Sequence, residues 1–305
     1  MESQERKYKT SLVGINLELT SLCPFRCPSC YVSSDEEGGV RELALSKGLY
    51  WIEEAARAGI RYVNLSGGET LCYPHLDELI RACADHGMHA SVSLSGALAT
   101  EERLRTLIEA GVKGIFVSLN GSTEEINAVS REGYREALRT IEYLQDKKNI
   151  LSGINFVLHK SNAHDLPAML ALCEEKNVQA LVILQTKPDA KGCLTDVPDE
   201  AQLRKVAAQI VAYNGPVAIV ADHCYYELRE YLPEAGLHDA AGSGCGCGAG
   251  QTQICVNAQG SLTPCRHLDI PEEWLTIREY LECSPHLREI REHVAAEPSW
   301  RPCML

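Results

Sequence analysis

Residues 19–31, LTSLCPFRCPSCY, set three cysteines in a C-x3-C-x2-C array directly after an apolar run. Three interpretations fit three thiols within eight residues: disulfide partners, ligands of a zinc ion, or ligands of an iron–sulfur cluster. Structural zinc takes four protein ligands, whereas a cubane cluster bound by three thiolates keeps one iron open for another ligand. The odd number of thiols therefore favours a cluster.

Composition and charge are those of an ordinary globular chain. The 305 residues are 45% hydrophobic and 23% charged, and they carry 29 basic and 42 acidic side chains for a net charge of −13. No basic patch of the kind that binds nucleic acid is found. No apolar stretch reaches the roughly 18 residues of a membrane span, and the charged start does not fit a secretory signal. We expect a cytoplasmic protein that binds neither nucleic acid nor a membrane.

Fourteen cysteines are many for such a chain. In a reducing compartment they do not persist as disulfides, so clustered cysteines indicate metal or redox ligands. Cys83 and Cys173 are different, because they lie on apolar faces of predicted helices. There we expect them to pack as small hydrophobic side chains.

The first 215 residues alternate β-branched apolar runs with amphipathic, capped helices. Such alternation predicts parallel strands joined by right-handed crossovers, either an open doubly wound sheet or a barrel, complete or partial. In both folds the active site lies at the carboxyl ends of the strands, where the three thiols follow the first strand. The predicted strands are 12–19, 61–66, 89–94, 114–119, 152–158, 180–186 and 216–222.

The chain changes character after Asn214. A last strand and a helix around residues 225–232 precede a glycine-rich stretch that suits neither a helix nor a strand interior. We therefore expect two domains, 1–220 and 221–305. Six cysteines follow in the last quarter of the chain: Cys245, Cys247, Cys255, Cys265, Cys283 and Cys303.

A second motif, NLSGGET at 64–70, ends the second predicted strand. Together with the cysteine array it resembles the radical S-adenosylmethionine (SAM) superfamily, in which a Gly-Gly-Glu motif, here Gly67, Gly68 and Glu69, contacts the cofactor's ammonium. The resemblance implies an α/β fold, a partial (β/α)6 TIM-type barrel followed by a small irregular iron–sulfur-binding C-terminal domain. It makes Cys23, Cys27 and Cys30 the ligands of a [4Fe–4S] cluster whose open iron binds SAM.

Further cofactor contacts are implied by the same resemblance. FVSLNG at 116–121 resembles the fourth-strand motif and offers Ser118, although the usual aspartate is Asn120 here. Arg131 matches the position from which many members contact the methionine carboxylate. Asn155 is expected to contact the ribose. Ser95 follows the third strand at the position of a polar residue in relatives, and it is expected to contact the cofactor.

The tail stretch CGAGQTQICVNAQGSLTPC resembles the C-x(9–15)-G-x4-C pattern of SPASM and twitch extensions, which bind auxiliary iron–sulfur clusters. The denser cysteine run of a full SPASM domain is not found, so we expect one auxiliary [4Fe–4S] cluster. A four-cysteine zinc ribbon is the alternative, but its ligand pairs are normally closer in sequence. The expected ligands are Cys245, Cys247, Cys265 and Cys303, whereas Cys255 is expected to pack and Cys283 to bind nothing.

The resemblance implies reductive cleavage of SAM to a 5′-deoxyadenosyl radical, which abstracts a hydrogen atom from the substrate. Relatives with such extensions mostly modify ribosomally synthesised peptides by crosslinking, thioether formation, epimerisation or oxidation. Dehydrogenation of a small alcohol or sugar is the alternative, and a non-enzymatic metal-stabilised binding protein is a second. The expected partners are a peptide, an electron donor such as ferredoxin or flavodoxin, and a separate leader-peptide-binding protein.

Epimerisation needs a hydrogen donor, and a thiol is suitable. Cys72, Cys193 and Cys224 are candidates because each is predicted to lie near the carboxyl end of a strand. The alternative is that they are incidental thiols without a catalytic role. Dehydrogenation would instead need a base, for which Asp222 and His223 are candidates by position only.

Overall fold

The computed structural model describes residues 12–32, 39–189, 191–233, 247–268, 270–297, 299–300 and 302–304. The helices of this part of the chain are α1 (Leu45–Arg57), α2 (Leu76–Asp85), α3 (Glu101–Ala110), α4 (Glu124–Ala128), α5 (Tyr134–Leu144), α6 (Leu166–Glu175), α7 (Glu200–Ala212), α8 (Tyr226–Arg229), α9 (Ile277–Cys283) and α10 (Pro285–Ala296). The strands are β1 (Gly14–Glu18), β2 (Tyr62–Ser66), β3 (His89–Leu94), β4 (Gly114–Ser118), β5 (Leu151–Leu158), β6 (Ala180–Gln185), β7 (Ala218–Ala221), β8 (Gln253–Val256) and β9 (Leu262–Thr263).

All nine strands form a single open sheet in the order β7-β6-β5-β4-β3-β2-β1-β8-β9. Strands β1 to β7 follow one another in chain order, and each pairs in parallel with the next. This is the arrangement that repeated strand–helix crossovers of one hand produce. The predicted α/β fold and its seven strands are confirmed, and the sheet is a partial barrel rather than a closed one.

Side chains alternate between the two faces of the sheet. In β1 the apolar Ile15 and Leu17 are buried in the main core, while Asn16 lies on the opposite face. There Asn64 of β2 donates a hydrogen bond to Asn16, and Ser93 of β3 donates one to Asn64, at 3.1 and 3.3 Å. A polar network therefore runs across the concave face and leaves it suited to a polar ligand.

Capping residues set both ends of α3 and the start of α7. Thr100 accepts a hydrogen bond from the Arg103 backbone N–H and begins α3, and Gly111 ends it with φ of 104°. Asp199 and Gln202 form a reciprocal capping box at the start of α7. These local interactions fix where each crossover begins and ends.

The tail contributes to the same sheet. Strand β8 pairs in parallel with β1, so that Cys255 lies opposite Asn16. A small second core forms beyond it from Cys247, Ala249, Cys265, Leu268, Ile290 and Val294. β8 lies beyond residue 220 in the chain and yet continues the sheet that β1 to β7 form. The domain boundary near residue 220 therefore stays a prediction.

Three predicted packing cysteines are fully buried. Cys83 in α2, Cys173 in α6 and Cys255 in β8 each have 0% of their surface exposed. Among the described residues, no helix combines the length and apolar character that crossing a bilayer requires.

Candidate active site

A cavity of about 960 Å³ opens at the carboxyl ends of the parallel strands. It brings together nearly all the cofactor-site residues predicted for the barrel. Those that line it are Cys23, Cys27, Cys30, Gly67, Gly68, Ser95, Ser118, Arg131 and Asn155.

The loop with the three thiols is held against the segment that follows α4. The Arg26 backbone N–H donates to the Glu132 carboxylate at 3.1 Å, and the Glu132 N–H donates to the Cys27 sulfur at 3.5 Å. The Phe25 ring lies so close to Gly133, whose φ is 81°, that a Cβ there would be 2.3 Å from it. This packing fixes the thiol loop to the rim of the sheet.

The glycine pair has a structural reason in the chain itself. The Gly68 N–H donates to the Thr20 carbonyl at 2.6 Å, and the Glu69 N–H donates to the Leu22 carbonyl at 2.8 Å. A Cβ on Gly67 would lie 2.5 Å from the Thr20 carbonyl oxygen, and one on Gly68 would lie 2.5 Å from that of Leu22. Only glycine permits this approach, which ties the end of β2 to the strand that leads into Cys23.

Glu69 lies behind the cavity rather than on its surface. It is 0% exposed, and its carboxylate accepts hydrogen bonds from the Leu71 N–H at 3.0 Å and the Ser95 N–H at 2.8 Å. The Ser95 hydroxyl also donates to it. The carboxylate therefore shapes the turns after β2 and β3, and Ser95 reaches the cavity wall from the second of these.

Ser118 and Asn155 are neighbours in the register of β4 and β5, and both face the cavity. Asn120, just beyond Ser118, is 3% exposed and donates to the Ser130 hydroxyl at 3.0 Å. Its side-chain oxygen accepts from the Val157 N–H at 3.0 Å. At the position of the usual aspartate, this chain therefore uses an amide both to donate and to accept.

Arg131 supplies positive charge at the cavity. Its Nε is buried and makes no hydrogen bond within the part of the chain that the structure describes. Burial raises the pKa of the Cys30 thiol, and the nearby Arg131 guanidinium offsets part of this increase. A guanidinium at a cavity wall whose Nε makes no hydrogen bond among the described residues suits a carboxylate ligand.

The donor set fits an iron–sulfur cluster. Burial raises the pKa of Cys23 to about 11; the backbone hydrogen bond from Phe25 lowers it, and the nearby Glu69, Cys27 and Cys30 add to the increase. Within the described ranges no three His, Cys, Asp or Glu side chains converge on a single metal ion. A cubane does not require this, because each thiolate binds a different iron and loses its proton as it does so.

A second group of thiols lies where the tail meets β6 and β7. Cys224 and Cys247 share a side-chain hydrogen bond, and Cys224 also lies within electrostatic reach of Cys265. Cys303 lies 3.6 Å from the ammonium of Lys187. Of the predicted auxiliary ligands, Cys247, Cys265 and Cys303 are thus brought together, while Cys245 lies outside the described residues.

The three candidate hydrogen donors do not line the cavity. Cys72 ends the short turn after Glu69, Cys193 is exposed in the loop after β6, and Cys224 is buried beside Cys247. Their role as hydrogen donors stays a prediction. Asp222 and His223 precede Cys224, and neither is among the residues that line the cavity.

His159 and Arg266 are two of the cavity residues that were not predicted. His159, just after β5, is 2% exposed, and burial lowers its pKa. Its Nδ1 lies 3.3 Å from the Thr186 hydroxyl, and its Nε2 has no hydrogen-bond partner in the described structure. Arg266 follows Cys265 and donates to Ser66 at the end of β2. The sequence offers one signal for each residue. His159 is a polar residue directly after a strand, and Arg266 stands beside an expected ligand.

Known proteins resemble this chain in sequence and in fold. The family model of the radical SAM superfamily matches residues 17–173. PqqA peptide cyclase of Bradyrhizobium diazoefficiens is 28% identical over 56% of this chain and 46% of the relative. The Methylocella silvestris protein of the same name is 27% identical over 73% of this chain and 62% of the relative. The chain spans about half the length of the curated relatives it matches.

Solved structures share the fold at low sequence identity. Streptococcus suis SuiB has a TM-score of 0.74 at 16% identity, over 92% of this chain and 68% of that chain. Native anSMEcpe with bound AdoMet has a TM-score of 0.68 at 17% identity, over 91% and 82%. With its family model covering the thiol array, the glycine pair and the strands that hold them, the chain belongs to the radical SAM superfamily.

Proposed function

We propose that this enzyme abstracts a hydrogen atom from a peptide and thereby acts as a peptide maturase. The observation that carries the proposal is the cavity at the strand ends. Three thiols, a glycine pair and an arginine whose Nε is unpaired among the described residues meet there. The peptide class is supported by the relatives named PqqA peptide cyclase. SuiB, one of the similar folds, has also been solved bound to its precursor peptide SuiA.

Cys23, Cys27 and Cys30 would hold the [4Fe–4S] cluster, with SAM at its open iron. When bound, the two supply a 5′-deoxyadenosyl radical by one-electron cleavage of SAM. The packing of Phe25 on Gly133 keeps the thiol loop in place. The backbone bonds from Gly68 and Glu69 hold the strand that leads into it.

The remaining cavity residues would orient SAM. The Arg131 guanidinium, whose Nε is unpaired among the described residues, suits the methionine carboxylate. Ser118 and Asn155 lie side by side on β4 and β5 and suit the hydroxyl groups of the ribose. Gly67, Gly68 and Ser95 form the wall that would receive the ammonium, with Glu69 behind it adding negative charge.

We further propose one auxiliary [4Fe–4S] cluster in a C-terminal domain that begins near residue 221. Its support is the convergence of Cys247, Cys265 and Cys303, which are far apart in sequence and share one small core. The same proposal includes an external electron donor such as ferredoxin or flavodoxin, a separate leader-peptide-binding protein, and a cytoplasmic location.

To test the proposal, the anaerobically reconstituted protein is incubated with SAM, dithionite and a short peptide encoded beside its gene. We expect 5′-deoxyadenosine together with a mass change in the peptide, and neither from the Cys23→Ala/Cys27→Ala/Cys30→Ala variant. If 5′-deoxyadenosine forms while the peptide is unchanged and a small alcohol or sugar is oxidised, the enzyme is the alternative dehydrogenase. If no 5′-deoxyadenosine forms, the proposal is wrong.

A further inference from the structure

Four thiols meet where the tail packs on the ends of β6 and β7. Cys224, three residues beyond β7, is 5% exposed and shares a hydrogen bond with Cys247. Burial raises the pKa of the Cys265 thiol, and Cys303 and Cys247 lie close enough to raise it further. Burial and the nearby Cys247 raise the pKa of Cys303 in the same way. Each of the four therefore neighbours at least one of the others, although about 80 residues separate the first from the last.

A buried ammonium lies among these thiols. Lys187, just beyond β6, is 9% exposed, and its Nζ is 2.9 Å from the Gln185 side-chain oxygen and 3.6 Å from the Cys303 sulfur. Cys224, Asp222 and Cys265 also interact electrostatically with it.

Burying an ammonium costs several kcal/mol unless negative charge faces it. Asp222 faces Lys187, together with Cys224, Cys303 and Cys265. Thiolates bound to a metal cluster would supply negative charge. Lys187 therefore lies where it could face the negative charge of cluster-bound thiolates, with its ammonium 3.6 Å from the Cys303 sulfur.

We propose that Cys224, not Cys245, is the fourth ligand of the auxiliary cluster, and that Lys187 compensates the negative charge of its thiolates. This inference rests on the auxiliary cluster of the proposed function. Four protein thiolates saturate the cluster, so no iron is open to substrate. The auxiliary cluster then does not bind the peptide through iron.

The test uses the Cys23→Ala/Cys27→Ala/Cys30→Ala protein, in which an auxiliary cluster is the only one expected. We would add Cys224→Ala, Cys245→Ala or the control Cys173→Ala, whose thiol is fully buried in α6. Iron content and the electron paramagnetic resonance spectrum of the reduced protein are measured. We expect about four irons per chain after Cys245→Ala and Cys173→Ala, and fewer irons with an altered spectrum after Cys224→Ala.

The outcomes separate the two proposals. Loss of iron in Cys245→Ala with retention in Cys224→Ala overturns this inference and leaves the auxiliary cluster in place. A parent variant without iron refutes the auxiliary cluster itself, and this inference with it.

A potential measurement tests the role of Lys187 independently of whether Cys224→Ala folds. Lys187→Met removes the charge at similar length and should lower the midpoint potential of the auxiliary cluster, since positive charge stabilises the reduced state. Lys187→Arg should keep the potential close to that of the parent. Equal potentials for Lys187→Met and the parent would contradict the proposed role.

Discussion

The buried carboxylate of Glu69 accepts hydrogen bonds from both the backbone N–H and the hydroxyl of Ser95, 26 residues away in the chain. The third bond, from the Leu71 N–H, closes the turn that Glu69 begins. The motifs after β2 and β3 are thereby joined into one wall of the cavity. A residue that the sequence marks as a cofactor contact is thus also a structural link between two strand ends.

Glu69→Gln should destabilise the fold. The amide keeps one acceptor oxygen but turns its NH2 group toward donors, which costs about 1–3 kcal/mol in the free energy of unfolding. Urea denaturation of the wild type and the variant measures this. The exposed Glu78, which pairs with His75 at 2.7 Å, gives the control Glu78→Gln, expected to change stability by about 0.5 kcal/mol or less. Equal losses in both variants would contradict the link.

Gly68→Ala should cost about 1–3 kcal/mol of unfolding free energy, because overpacking forces the backbone apart. Its Cβ would lie 2.5 Å from the Leu22 carbonyl oxygen and 2.7 Å from that of Ser21. Gly14→Ala is the matched control, since its Cβ would make an ordinary contact at 3.5 Å with the Tyr62 carbonyl oxygen. Thermal unfolding and iron content are measured together. A Gly68→Ala protein as stable as Gly14→Ala would show that the close approach of Gly68 to the Leu22 carbonyl does not contribute to stability.

Arg131→Gln should weaken SAM binding about tenfold or more, which corresponds to the 1.5–3 kcal/mol of a hydrogen bond to a charged group. Equilibrium dialysis of the reconstituted protein with SAM measures the dissociation constant. Arg135→Gln is the control, because Arg135 is exposed and pairs with Glu124 at 2.9 Å. An unchanged dissociation constant in Arg131→Gln would remove Arg131 from the SAM site.

His159 should make the fold less stable in mild acid. Burial lowers its pKa below the usual 6.5, so the unfolded chain takes up the proton at a higher pH than the folded chain does. Unfolding free energy should therefore fall as the pH drops below about 6.5, and recover as it rises. Relative to wild type, His159→Gln should lose less stability between about pH 7 and about pH 5. Parallel pH profiles for the two proteins would contradict this.

Local patterns in the sequence are sufficient to predict the barrel strands. The caps of α3 and the apolar runs of β1 to β7 act within a few residues, so each strand and helix is readable by itself. The predicted residues Ser118 and Asn155 also meet, because parallel strands bring their carboxyl ends to one edge.

Pairings between residues that are far apart in the chain are harder to predict from the sequence. The parallel pairing of β8 with β1 joins residues about 240 positions apart, and nothing in QICV marks its partner. The meeting of Cys224 with Cys247 depends on the same packing of the tail, which the sequence pattern does not reveal. The two roles of Glu69 are likewise visible only once Ser95 is seen beside it.

Iron and sulfide content, with an electronic spectrum, tests the central claim most directly. The proteins are the anaerobically purified wild type, its Cys23→Ala/Cys27→Ala/Cys30→Ala variant, and the exposed-thiol control Cys283→Ala. The account predicts about eight irons per chain in the wild type and the control, and about four in the triple variant. Bound zinc without iron in the wild type would contradict it.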